Sequence, residues 1–180
     1  MPADMKRLIA ETFFRMVKHG NIDKITVKAL IEECHISRQT FYYHFQDIMD
    51  VLEWTVRQKT QQLVEQSLQA EDMRSVLKIF VSDAVERFPM LRKLMESQRR
   101  AQIEQIMLDG IEVYLKELAE NNSHDLSVNY ADREILIRYN ACGLVGVLLA
   151  YAGKKNLDQD RLVLQLERIL KGELSGWHQS

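Results

Sequence analysis

Apolar residues recur every three to four positions along most of the chain, the spacing of helices that bury one face, so sheet is not expected. The first such stretch, residues 3–19, carries Ile9, Phe13, Met16 and Val17 and stops at Gly20, a residue suited to a left-handed cap. Residues 21–25 read as a short connection. Thr26 can accept a hydrogen bond from a free amide of the next turn and so opens a second helix, which buries Val27, Leu30 and Ile31 and ends by Cys34. After His35 and Ile36, Ser37 is again a capping residue for a third short helix through Phe45, and Asp47 caps a fourth beginning at Ile48.

The rest of the pattern is longer-waved. The fourth helix should reach Leu68 with Val51, Leu52, Val56, Leu63 and Val64 inward, and residues 70–72 break the chain. Residues 73–88 form a further helix burying Val76, Leu77, Phe80, Val81 and Ala84. Pro89 should restart the chain, because proline suits a first turn and disfavours a helix interior. Residues 90–120 then read as helical with a kink near Ser97, residues 121–127 as a polar loop, and residues 130–152 and 158–171 as two final helices.

Composition adds bounds to this picture. A chain of 180 residues can bury a sizeable core, and only two prolines and seven glycines punctuate it. Cys34 and Cys142, far apart and outside any metal-ligand spacing, point to a reduced, cytoplasmic protein without disulfides. The first helix is too charged for a signal peptide, and the most apolar window, residues 142–153, spans about 12 residues against the ~20 needed to cross a bilayer. It is expected to be a buried helix, and no membrane partner is expected. Net charge is −2, but residues 1–46 stand at +2 and the remainder at −4, a mild asymmetry compatible with nucleic acid meeting one end.

The segment 26–45, TVKALIEECHISRQTFYYHF, concentrates the candidate chemistry. Phe41 and Phe45 share one face of the third helix, whereas Gln39, Tyr42, Tyr43 and Gln46 lie on another. One face can anchor on Leu30, Ile31 and Ile36 while the other is free to read. Helices this short are marginal in water alone, and a major groove admits one helix whose N-terminal side chains reach the base edges. Arg38 and Gln39 sit at that end, suited to guanine and adenine, with Tyr42 beside them. Thr26, Lys28, Thr40, Tyr43 and His44 supply donors suited to phosphates, helped by the helix N-termini at Thr26 and Ser37.

The run ITVKALIEECHISRQTFYYHFQDIMDVLEW resembles the head of TetR-family transcriptional regulators, and RQTFYYHF followed by Leu52, Glu53 and Trp54 is similar to the DhaS-like branch, regulators of dihydroxyacetone kinase operons. The match covers residues 5–57, with a weaker one at residues 143–149. The resemblance implies an all-α protein with a three-helix helix-turn-helix head, residues 1–46, and a helical bundle, residues 47–180, for dimerisation and effector binding. It implies a homodimer on near-palindromic double-stranded DNA, acting as a repressor, or alternatively an activator controlled by a protein coregulator instead of its own small-molecule effector. Three positions depart from the family pattern: His35 stands where glycine is common, Ile48 replaces a lysine, and Gln39 replaces a small residue.

Blander roles compete with these. His19, His124 and His178 have no metal-ligand spacing, so no metal is expected, and no cofactor. Glu32 with Glu33 and Asp158 with Asp160 lack a nearby nucleophile and read as solvated charges, as do Arg99 and Arg100, so no enzyme is expected. Phe80, Phe88, Met95, Met107, Tyr114 and Tyr139 could line a ligand cavity, but their spacing equally serves a bundle core. A body without a buried polar cluster would favour a protein coregulator. Leu162, Leu166, Ile169 and Leu170 with Val163 and Leu164 give the last helix a wide apolar arc, and Gly143 with Gly146 would allow close approach, so the last two helices are expected to form the dimer interface. The fourth helix is expected to be the sole element joining the head to the body, with Trp54 at the seam.

Overall fold

The computed structural model describes residues 2–121, 129–154 and 156–173. Among them eight α-helices follow one another without a strand: α1 (Pro2–His19), α2 (Val27–Cys34), α3 (Arg38–His44), α4 (Ile48–Ser67), α5 (Met73–Met95), α6 (Arg100–Asn121), α7 (Tyr130–Tyr151) and α8 (Gln159–Leu170). A single 3-10 turn, Ile22–Lys24, joins α1 to α2. The all-helical class read from the periodicity is the one that forms. The expected loop over 121–127, beyond Asn121, lies outside the described residues, as do His124 and His178.

The starts of the early helices follow from their capping side chains. Thr26 Oγ1 accepts from the Ala29 amide at 3.1 Å, and Ser37 Oγ accepts from the Thr40 amide at 2.9 Å. Asp47 Oδ1 takes the amides of Met49 and Asp50 at 2.7 and 3.0 Å, while Asp50 Oδ2 reaches back to the Gln46 amide at 2.8 Å. Each bond satisfies an amide that the first helical turn leaves without a partner.

The chain divides into two compact units. The first comprises residues 1–59 and 89–110, so it extends past the helix-turn-helix to take in the start of α4, the end of α5 and the start of α6. Its core is continuous: Ile9, Phe13, Val17, Ile22, Leu30, Phe41, Phe45, Val51 and Leu52 bury together with Leu94, Ile103 and Ile106. At about 1.5–3 kcal/mol for each large apolar side chain removed from water, these contacts hold helices that would not persist alone. The second unit comprises residues 60–88 and 111–180. Its buried residues include Leu63, Val64, Leu77, Phe80, Val81, Tyr114, Leu144, Leu148, Leu162, Val163 and Leu166.

Two expectations change. Pro89 lies inside α5 and does not restart the chain. It is exposed, so water can serve the carbonyl it leaves without a donor, while Phe88, Leu91 and Leu94 keep the buried spacing on either side. The break comes between α5 and α6, at Ser97 where a kink was expected; Ser97 is buried and its Oγ accepts from the Arg99 amide at 2.9 Å. The apolar window in α7 is also longer and less buried than expected. Residues 131–151 are apolar and long enough to cross a membrane by length and composition, yet only 28% of that stretch is buried. Ile135, Leu136 and Tyr139 are exposed, as are Cys142, Gly143 and Gly146.

Candidate nucleic-acid interface

The helix-turn-helix is built around Leu30, Phe41 and Phe45, which are 0–2% exposed, with Ile31 and Ile36 packed against them. Its turn depends on His35, which adopts a left-handed conformation at φ 54° and ψ 41°. There the His35 amide donates to the Glu32 carbonyl at 3.2 Å and the Ile36 amide to the Ile31 carbonyl at 3.2 Å. These bonds close the end of α2, a task that commonly falls to glycine because a Cβ strains this backbone.

With Phe41 and Phe45 facing inward, the other side of α3 faces water. Arg38 and Gln39 are exposed at its first turn. The Arg38 guanidinium lies 5.9 Å from the Tyr42 ring centroid, a cation–π contact that leaves its donors outward. Tyr42 meets the Phe41 edge at 5.4 Å and is 50% exposed, whereas Tyr43 is 80% exposed and touches only the His44 ring among aromatic neighbours, at 4.9 Å. His44 is half-buried. On α2, Thr26 is exposed at the helix start and the Lys28 ammonium extends into solvent 4.0 Å from Glu32 Oε1. Two hydroxyls are already engaged: Thr40 Oγ1 hydrogen-bonds Ser37 Oγ at 2.8 Å, and Thr26 Oγ1 accepts from the Ala29 amide at 3.1 Å as the cap of α2. The eight residues selected from the sequence thus lie on α2, its cap and α3, with Thr26 and Thr40 engaged locally and His44 half-buried.

Other contacts have no signature in local sequence. Lys6, from α1, places its ammonium 5.2 Å from the Phe45 ring centroid, and Trp54 of α4 meets the same ring edge-on at 6.0 Å. Arg15 pairs with Glu33 at 3.4 Å, so Glu32 and Glu33 are ion-pair partners of basic residues as well as solvated charges. Asp23, in the 3-10 turn, accepts from Ser97 Oγ at 2.6 Å and from the Gln98 amide at 3.0 Å.

In the second unit, Tyr114 stacks on Phe80 at 5.6 Å and its hydroxyl hydrogen-bonds Ser67 Oγ at 2.8 Å. Burial of the ring pushes the Tyr114 pKa up. Phe80, Phe88 and Tyr114 are core residues, and Met95 and Met107 pack against the core of the first unit; Tyr139 is 72% exposed and lines no interior. A groove of about 460 Å³ between α6 and α7 is lined by Glu112, Lys116, Glu134 and Arg138 with Ala131, Ile135 and Ile137. Among the described residues, no three metal-ligating side chains come together.

The fold, a helix-turn-helix carried on a chain of further helices, is similar to that of solved structures described as regulators or activators. Neither a protein-family model nor a curated protein sequence matches the chain. Solved structures do. The dihydroxyacetone kinase operon activator DhaS is 18% identical with a TM-score of 0.68, covering 95% of this chain and 96% of that one. The fatty acid degradation regulator FadR from Bacillus halodurans is 18% identical with a TM-score of 0.58, covering 94% and 96%. A protein from Syntrophomonas wolfei assigned to the TetR-family transcriptional regulators is 13% identical with a TM-score of 0.61, covering 98% and 97%.

Proposed function

We propose that this chain is a sequence-specific transcriptional regulator that binds double-stranded DNA as a homodimer on a near-palindromic operator, acting as a repressor and without catalytic activity of its own. The observation that carries the reading is α3: a helix anchored by Phe41 and Phe45 that presents Arg38, Gln39 and Tyr42 to solvent. Such a helix suits a major groove, and in this reading Thr26, Lys28, Thr40, Tyr43 and His44 meet phosphates, the two threonines while also serving their caps. In this reading residues 1–46 are the DNA-binding segment, and residues 47–180 carry dimerisation and response. The dimer is assigned to α7 and α8, whose Ile135, Leu136, Tyr139, Leu164, Ile169 and Leu170 remain exposed. A gel shift with DNA from upstream of its own gene, repeated with Arg38→Ala, tests the reading. A specific complex that Arg38→Ala weakens supports it, and binding indifferent to sequence and to Arg38 removes it.

A second reading, an activator controlled by a protein coregulator, is supported by the likeness to DhaS, a protein described as an operon activator. The second unit does hold buried polar groups, Ser67 with Tyr114 and Glu167 with Arg74 and Lys171, so its interior does not itself favour a coregulator. An effector of either kind would act by favouring one arrangement of the reading helices over another. The fourth helix is not the only candidate to transmit that preference, since α4, α5 and α6 all contribute residues to both units.

A further inference from the structure

The corner between α5 and α6 is bound to the start of the helix-turn-helix. In an unbroken helix over residues 90–120 the Gln98 amide would donate to the Leu94 carbonyl and the Ser97 hydroxyl would turn back to its own helix. The chain breaks there instead, and both groups serve a residue 74 and 75 positions earlier, Asp23. Ser97 Oγ donates to Asp23 Oδ1 while accepting from the Arg99 amide, so its one hydrogen is committed to Asp23. The last turn of α5 adds a second tie, with Lys93 Nζ donating to the Val17 carbonyl at 3.4 Å and to the Lys18 carbonyl at the end of α1.

Asp23 is held on its own side as well. Its amide donates to Asn21 Oδ1 at 2.8 Å, and Ile22 and Ile25 on either side are buried. The hydrogen bonds from Ser97 and then Gln98 hold the carboxyl below its usual range, with a smaller contribution from Arg99. Three residues after Asp23 comes Thr26, the cap that opens α2. An unbroken α5–α6 would leave the Asp23 carboxylate without either donor, so this side chain favours the broken corner.

We propose that Asp23 is a positioning residue for DNA reading, through which the fold of the α5–α6 corner sets the stance of the helix-turn-helix; the proposal rests on the DNA-binding reading above. Because α5 and α6 also contribute residues to the second unit, a change there that straightened the corner would release Asp23 without any contact with DNA.

The test uses the full chain with Asp23→Asn, which removes the charge and replaces one of the two acceptor oxygens by a donor, Asp23→Glu, which keeps the charge, and Ser97→Ala. Ser67→Ala, which removes a buried hydrogen bond in the second unit, controls for general destabilisation. Amide exchange is followed at residues 98–100 and 27–30, and affinity is followed on DNA from upstream of its own gene. Asp23→Asn and Ser97→Ala should each speed exchange about tenfold in both segments and weaken DNA binding about fivefold, the double variant adding little, with Asp23→Glu recovering part of the loss. Ser67→Ala should leave both readouts unchanged. Faster exchange confined to residues 98–100, unaltered DNA affinity, or failure of both single variants to fold overturns the proposal and leaves Asp23 as a local cap or scaffold residue. If the wild-type chain retains no DNA, the DNA-binding reading falls and exchange alone decides: coupled loosening of α2 keeps Asp23 as a positioning residue, and uncoupled loosening removes it.

Discussion

Arg38 and Lys28 are both exposed cations on the helix-turn-helix, but they stand at different places in a groove-reading geometry. Arg38 opens α3, where a bidentate contact to a guanine is within reach of a docked helix, while Lys28 projects from α2 beside Glu32. Arg38→Ala should cost about 1–3 kcal/mol on the specific site and little on random DNA, whereas Lys28→Ala should weaken all DNA alike and flatten the salt dependence. Competition binding at several salt concentrations separates them, and equal losses for Arg38→Ala on both DNAs would remove its base-reading role. His35 bears a different load. Its left-handed backbone makes His35→Val destabilising by about 1–2 kcal/mol, while His35→Gly should be neutral or mildly stabilising. Thermal melting of the two variants checks this, and a β-branched residue tolerated without loss would mean that the turn rearranges.

At the scale of elements, α2 and α3 have eight and seven residues and exist because of what they pack against. Phe41→Ala should therefore cost about 3–5 kcal/mol and unravel both, seen as lost helical signal and lost DNA binding together. These elements were legible in the sequence because Thr26, Ser37 and Asp47 act on amides two or three residues away. The same locality made Leu30, Phe41 and Phe45 readable as anchors. What stayed hidden depends on distant partners: a kink near Ser97 was readable, but not that Ser97 donates to Asp23 there, and Pro89 fails to break a helix whose flanking leucines and phenylalanine are buried. No periodicity carries either fact. The α5–α8 tie is of the same kind. Glu167, 6% exposed, accepts from Arg74 Nε at 2.7 Å and from Lys171 Nζ at 2.7 Å; Lys171 and then Arg74 hold its pKa below the usual carboxylate range. The stability it adds is present above the unfolded carboxyl value, near 4.3, and is lost as pH falls through the lower folded value. Glu167→Gln should accordingly lower stability at neutral pH and shrink the acid dependence in urea titrations across that range. An acid limb unchanged by the substitution would show that protonation of Glu167 does not contribute to the acid loss of stability.

On the scale of the whole molecule, the surface of α7 and α8 is the feature that the chain leaves least resolved by its own packing. Exposed Ile135 and Tyr139 on one helix and Leu164 and Ile169 on the other amount to an apolar surface that water covers at a cost. Sedimentation should find a dimer at micromolar concentration, and Ile135→Glu with Tyr139→Glu should yield a folded monomer with weakened operator binding. A wild-type monomer that binds a single half-site would refute the assignment.

The two thiols of the chain also differ in reactivity. Cys34 is buried at the end of α2, and burial pushes its pKa up against the opposing effect of a hydrogen bond from Thr12; Cys142 lies exposed on α7. A thiolate is the species that reacts with alkylating reagents, so Cys142 should take a label quickly and Cys34 only when the fold opens. One cysteine therefore offers a single-site handle without mutagenesis. Its labelling rate should fall as protein concentration rises if copies meet over α7, and the slow second thiol would clock the opening of the helix-turn-helix core.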